Sequence, residues 1–430
     1  VTYRIMKNFS ALIMAQVVYK ILMFFIMILV ARFLGVEEFG KLSFGLSFVW
    51  IFLFLSDLGF SELFVRDVAF NKGLLKKYTD NMTALKIVLS LVAYLILLIL
   101  GKLFSGHDMV KFWIISILGL SVILDSFVYY FRTIFRINNT LRYEALLVIV
   151  EAVIKFVFIL IPVILHLDKE KILILSFAFL AVSICNFFIN LTVFFKQNNV
   201  PSLKFEKKFW SYLVRTGFPF AFVYILSLIN FRVDVLMLSF LKGDTMAGIF
   251  SADFRIIEQL LVLPAILSYV ALPEFLRLSR SISEIYNLAS RLIFISFFVS
   301  IGIIVFCLLF SGNIINIIYG QKFIQAEIYF RVLILILPFF FTKMIVEKIL
   351  YSFDMQLFVS FIYCVCVLLN IAVNFIIIPR FGILGASITT IGSEILMMFG
   401  VLIYLKKCLS GKLTKNVSLG FAISSEFLDD

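Results

Sequence analysis

The sequence predicts an all-α integral membrane protein of about twelve transmembrane helices, arranged as two six-helix halves. Three observations carry the prediction: the composition, a series of apolar runs of span length, and a turn repeated half a chain apart. Of the 430 residues 63% are hydrophobic and 15% charged, with a mean hydropathy of +1.11, whereas a soluble domain is about 45–50% apolar and about 25% charged. A spanning helix takes about 20 mostly apolar residues, so the chain has room for about a dozen and none for a large soluble domain. A transmembrane β-barrel would alternate apolar and polar residues over segments of about ten. Stretches such as Ile21 to Val30 and Ile87 to Leu100 are instead apolar on every face.

The apolar runs are separated by charged or Gly-containing breaks. In the first half they lie near residues 10–31, 42–64, 81–101, 110–131, 143–166 and 171–195. The first is longer than the apolar core of a signal peptide and no small-residue cleavage site follows it, so it is expected to remain as helix 1. The chain opens on Val1, with Met6 as an alternative start. In the second half the runs lie near 209–240, 246–276, 289–311, 325–351, 357–379 and 383–405. The seventh, eighth and tenth are long, which predicts tilting, kinking or extension beyond the bilayer. Pro162, Pro219, Pro264, Pro273 and Pro338 fall inside runs, where each removes a backbone hydrogen bond and bends the helix. Helix 8, with two of them, is the expected site of bending. The domain reading is therefore 1–198 and 209–405 as the two halves, 199–208 as a cytoplasmic linker and 406–430 as a polar cytoplasmic tail.

A net charge of +12 would suggest nucleic acid in a soluble protein. In a membrane protein it reflects cytoplasmic loops, where Lys and Arg are retained, and no nucleic-acid partner is expected. Counted over alternate connections, one side collects 24 Lys and Arg and the other 12. That places both termini in the cytoplasm. The five cysteines, Cys185, Cys307, Cys364, Cys366 and Cys408, lie in or at the ends of apolar stretches without metal-site spacing, and read as small apolar packing residues.

The repeat joins the first connection to the one after helix 7. Phe33 to Phe44 reads FLGVEEFGKLSF and Phe240 to Ala252 reads FLKGDTMAGIFSA. Both carry Phe-Leu, a Gly, an acidic residue and then Gly-x-x-Ser: Gly40 to Ser43 and Gly248 to Ser251. The offset of 208 residues between them is what duplication of a six-helix unit would leave.

ARFLGVEEFGKLSF (Ala31 to Phe44) followed by DLGF (Asp57 to Phe60) resembles the opening of the polysaccharide transporter family, the O-antigen and lipid-linked oligosaccharide flippases. The likeness continues through Phe231 to Arg255, IIYGQKF (Ile317 to Phe323) and LNIAVNFIIIPRFGILGASITT (Leu369 to Thr390), in order along essentially the whole chain. Its superfamily also holds multidrug and toxic-compound extrusion antiporters and the lipid II flippase. The resemblance implies two six-helix lobes around a central cavity, in the twelve-helix form. It further implies alternating access for an undecaprenyl-diphosphate-linked oligosaccharide, with membrane lipids, a glycan polymerase and glycosyltransferases as partners in the cell membrane. The alternative of the same fold is a cation-coupled multidrug antiporter. That would ask for a cavity of acids and aromatics.

A charge at the centre of a spanning helix costs about 2.5 to 3.5 kcal/mol on insertion scales, so each marks a functional position by default. Gln16 and Lys20 form one polar stripe on helix 1. Glu151 and Lys155 on helix 5 are spaced i,i+4 with the acid first, the favourable order for a pair. Arg232 and Asp234 on helix 7 face different sides and call for partners on other helices. Arg255, Glu258 and Gln259 share a face of helix 8. Asp57 and Glu62 on helix 2, Asp125 on helix 4, Lys343 and Glu347 on helix 10 and Glu394 on helix 12 complete the set; Glu394 has no charged neighbour in sequence, which points to a protonated acid. The substrate-binding candidates are Lys20, Arg232, Arg255, Asp234, Glu258, Gln16, Asp57 and Lys155. Lys20 and Arg255 are expected to face one another across the cleft and hold a diphosphate.

Enzyme readings fare badly. His107 and His166 are the two histidines and both lie in short connections, no phosphate-binding Gly-x-x-x-x-Gly-Lys-Ser/Thr loop occurs, and no connection on the less basic side is long enough for a polymerase site. No cofactor is expected.

Overall fold

A computed structural model describes residues 2–409 except 139, 166, 168, 198–200, 279–281 and 354. His166, the first part of the linker and residues 410–430 of the tail lie outside the described residues. Every regular element among those described is helical.

The first half holds α1 (Thr2–Leu34), α2 (Val36–Asp57), α3 (Phe60–Phe70), α4 (Leu75–Ser105), α5 (Met109–Ile137), α6 (Leu141–Ile164) and α7 (Lys171–Gln197). The second holds α8 (Lys207–Lys242), α9 (Asp244–Leu260), α10 (Val262–Leu278), α11 (Ile282–Leu309), α12 (Ser311–Tyr319), α13 (Ala326–Leu333), α14 (Leu337–Ser352) and α15 (Gln356–Leu409). The twelve runs map onto these elements in order. Nine helices among the described residues are long and apolar enough to cross a membrane. One of them, α15, is broken at Gly382, whose φ of 57° and ψ of −129° are non-helical, and so carries the last two runs.

The interruptions are where the sequence was least informative. Run 2 breaks at Leu58 and Gly59, with φ of 44° and 73°, and restarts as α3. Run 8 breaks at Leu261, so Pro264 stands in the first turn of α10, where its missing N–H costs nothing. Run 10 passes through a 3₁₀ turn at Ile334–Ile336 before Pro338 starts α14.

The chain folds as two compact units. The first comprises 1–255, 312–329 and 374–386; the second 256–311, 330–373 and 387–430. Within the first, α1 packs along α6, α5 along α7, and α2 against α5, α4 and α8. Its main core gathers Phe60, Phe64, Tyr78, Tyr130, Phe135 and Phe194. Within the second, α14 packs against α10 and α11, around Phe275, Ile345, Ile349 and Leu350.

The linker is tied to the root of α4. Asp80 accepts hydrogen bonds from the Ser202 backbone N–H at 2.9 Å and the Ser202 hydroxyl at 2.7 Å. Asn81 accepts from the Glu206 N–H at 3.1 Å and donates to the Glu206 carboxylate at 3.2 Å. Glu206 is the residue from which α8 starts.

Candidate functional site

The repeated turns meet. Gly35 and Gly243, related by the offset of 208 residues, turn the chain from α1 into α2 and from α8 into α9 with φ of 80° and 93°, conformations that favour glycine. One turn further on, α2 and α9 cross backbone against backbone. A methyl group on Gly40 would run into the Asp244 carbonyl and stand 2.9 Å from the Gly248 nitrogen, and one on Gly248 would run into the Val36 carbonyl. The two Gly-x-x-Ser motifs therefore form a symmetric contact, and the serines one turn below, Ser43 and Ser251, are buried with hydroxyls that find no partner.

Ion pairs surround this crossing at the less basic end of the first unit. Lys111 lies 2.7 Å from Asp244, which also accepts from the Ser239 hydroxyl at 2.5 Å. Lys41 lies 3.3 Å from Asp108, the residue capping α5 by accepting from the Lys111 N–H at 3.1 Å. Burial opposes charge on both groups and is the largest influence at the lysine, yet the Asp108 hydrogen bond together with the charges of Asp108, Glu37 and Asp244 outweighs it, and Lys41 is raised. At Asp108 the bond from the Lys111 backbone and the Lys41 charge outweigh burial, and the carboxyl is lowered. Arg32, at the end of α1, donates to the Ile318 carbonyl at 2.8 Å and to that of Ile317, the last carbonyls of α12, where a cation is favoured.

The sequence-predicted residues divide into two groups. Asp57 and Lys155 are absorbed into closed internal networks. Asp57 accepts from Lys86 at 3.1 Å and from the Ser61 hydroxyl at 2.7 Å, holding the α2–α3 break. Lys155 donates to Glu151 at 2.9 Å and to the Tyr19 hydroxyl at 3.0 Å, while Arg132 takes the other Glu151 oxygen at 2.8 Å. Arg132 also donates to Asn190 at 3.3 Å, so the network around this carboxylate joins four helices. Asp234 is buried and accepts from Asn374 at 2.6 Å.

Gln16, Lys20, Arg232, Arg255 and Glu258 keep some exposure, and Lys20 is exposed outright. At 1.5 Å per residue, Lys20 lies about 21 Å from the α1 end at Leu34 and Arg255 about 16 Å from the α9 start at Asp244, comparable depths. The Arg255 guanidinium stands 5.5 Å over the Phe39 ring, directly below the glycine crossing.

Two expectations are corrected. Glu394 has a charged partner after all: Lys343 lies 2.5 Å away, both fully buried in the second unit. Lys86 and Lys343 were counted among loop charges, but both lie buried inside helices. Without them the count is 22 against 12, and the asymmetry survives. The sequence reading also passed over Asp253, whose signal was present as an acid inside an apolar helix, and over Lys111 and Asp244, whose pairing spans four connections. No group of three or more His, Cys, Asp or Glu that could hold a metal exists among the described residues.

Comparison with known proteins bears on the whole chain. A family model described as polysaccharide biosynthesis protein matches residues 5–282. The capsular polysaccharide biosynthesis protein CapF of Staphylococcus aureus is 21% identical over 421 residues, covering 93% of this chain and 99% of CapF. Among solved structures, the lipid II flippase MurJ in an inward closed conformation superposes with a TM-score of 0.78 at 18% identity, over 91% of this chain and 87% of that one. An inward-facing multidrug resistance MATE family transporter of the MOP superfamily superposes at 0.76 with 14% identity, over 93% and 96%. The fold is thus the one these two structures share, and they are a flippase and a transporter, not enzymes.

Proposed function

Because the chain belongs to the family of polysaccharide biosynthesis proteins, we propose that it is a flippase that moves an undecaprenyl-diphosphate-linked oligosaccharide across the cytoplasmic membrane by alternating access. Both termini are cytoplasmic in this reading, and the Gly40–Gly248 crossing closes the outer side. The observation that carries it is that Lys20 and Arg255 stand at comparable depths, the first exposed and the second part-exposed, while Lys86, Lys155 and Lys343 are buried against carboxylates.

A diphosphate brings about two negative charges, and taking them through a low-dielectric region is prohibitive without accompanying cations. Lys20 and Arg255 supply these charges, with Arg232 in support and Asp234 and Glu258 orienting the guanidinium groups between cycles. Gln16 extends the polar stripe on α1. The lipid tail stays in the membrane. The partners are membrane lipids, the glycosyltransferases that build the glycan and the polymerase that consumes it.

Lys20→Gln and Arg255→Gln should abolish surface glycan in cells while expression and melting temperature stay unchanged. Arg255→Lys should retain part of the activity, having lost the bidentate fork. Normal surface glycan in the double variant rules out the anion site. Export of organic cations by the purified protein, with no effect on glycan, would instead select the cation-coupled multidrug antiporter.

A further inference from the structure

Asp253 is wholly buried on α9, and neither of its carboxylate oxygens has a hydrogen-bond partner. It sits five residues beyond Gly248, the crossing glycine, and two before Arg255. We infer that Asp253 is a proton-binding site that couples closure of the α2–α9 crossing to uptake of one proton. The inference rests on the alternating-access reading given above.

The neighbours of this stretch are known from its contacts. The Tyr319 hydroxyl of α12 donates to the Ala252 carbonyl at 2.9 Å, Phe39 of α2 lies under Arg255, and Phe231 of α8 packs on Phe254. Several titratable groups on those elements are engaged elsewhere. On α2, Glu37 and Lys41 pair with each other and Lys41 with Asp108, Glu38 pairs with Lys171, and Asp57 with Lys86. On α8, Asp234 binds Asn374, and on α9 itself Asp244 binds Lys111. None of these, nor Arg232, Arg255 or Glu258, makes a hydrogen bond or ion pair with Asp253 among the described residues.

An ionised carboxylate cannot be sealed in such a place without a partner. The helix can therefore close only when the group is neutral. On opening, water reaches the carboxylate and the proton leaves to it; on closing, a proton from that water binds one Asp253 oxygen and is enclosed. The unpartnered hydroxyls of Ser43 and Ser251 at the same crossing would be hydrated in the same opening, so the closed contact leaves polar groups that water alone satisfies. A metal cation is a poor occupant, since no group of three or more acidic, His or Cys ligands gathers there among the described residues.

The test uses the full-length protein in lipid nanodiscs, with the five cysteines replaced and spin labels at His107→Cys and Gln321→Cys, both exposed positions at the less basic end. No glycan is needed, so the result is independent of the substrate reading. With Asp253 intact, a short distance population at about pH 5.5 should give way to a longer one, the change taking about two pH units as a single site requires. Asp253→Asn should hold the short population at every pH, and Asp253→Ser serves in its place where the amide variant does not accumulate. A pH response in the variants equal to that of the parent overturns the inference, as does the absence of any second population. A response that follows replacement of potassium by sodium, and not pH, overturns it in favour of a metal cation.

Discussion

Lys343 and Glu394 form a buried ion pair in the second unit, 2.5 Å apart across 51 residues of sequence. The lysine also lies 4.4 Å over the Phe340 ring and 4.9 Å over that of Tyr363. Removing one member of such a pair leaves a buried charge alone, at a cost of about 3–5 kcal/mol, whereas replacing both with apolar residues is often neutral. Lys343→Met and Glu394→Gln should each lower the melting temperature sharply, and Lys343→Met with Glu394→Leu should recover most of the loss. A double variant as unstable as the sum of the singles would show that the two do not act as a pair.

The crossing of α2 and α9 leaves no room for a side chain. Gly40→Ala and Gly248→Ala each drive a methyl group into backbone, which cannot swing aside as a side chain can. Overpacking of this kind costs about 1–3 kcal/mol. Either variant should lengthen the label distance between positions 107 and 321 at low pH; an unchanged distance would mean the contact is not the closing surface.

Lys41 and Asp108 set a pH window. Asp108 is lowered from its ordinary 3.8, so its contribution is present above that value and lost as pH falls through the lower folded one. Lys41 is raised from 10.5, so its contribution is full below that value and is lost only as pH rises through the higher folded one. Both side chains keep partial contact with solvent, which screens the pair and leaves it worth under about 1 kcal/mol. Asp108→Asn keeps the cap on α5 and removes the charge. It should cost a small part of the melting temperature at pH 7 and progressively less as pH falls below 3.8, as thermal unfolding across that range will show.

Orientation is tested at the linker. A lone cysteine at position 204, an exposed site, should escape membrane-impermeant thiol reagents applied to intact cells and react after lysis. Labelling from outside would reverse the topology.

Much of this architecture was legible because a span is a long apolar run and a turn between spans needs glycine. Gly35, Gly40, Gly243 and Gly248 could be read as a repeat, though not as surfaces that touch. Charges were harder. Lys86 looked like a loop residue and Glu394 like a lone acid because their partners, Asp57 and Lys343, lie 29 and 51 residues away, and linear sequence carries no sign of a contact at that separation. Glu151 and Lys155 were legible because their pairing is local, but Arg132 and Tyr19, which complete that network from other helices, were not. Asp253 was hidden by Arg255, the more conspicuous charge beside it.

The hold of Asp80 and Asn81 on Ser202 and Glu206 determines where this polypeptide tolerates being cut. A break between Gln197 and Pro201 would leave Ser202 and Glu206 on the second fragment, which then carries its own means of docking onto α4 of the first. A break after Glu206 would strand those residues on the first fragment and leave α8 with no tether. Two co-expressed pieces divided at the former point can find one another through hydrogen bonds already built into the chain, whereas pieces divided at the latter must rely on helix packing alone.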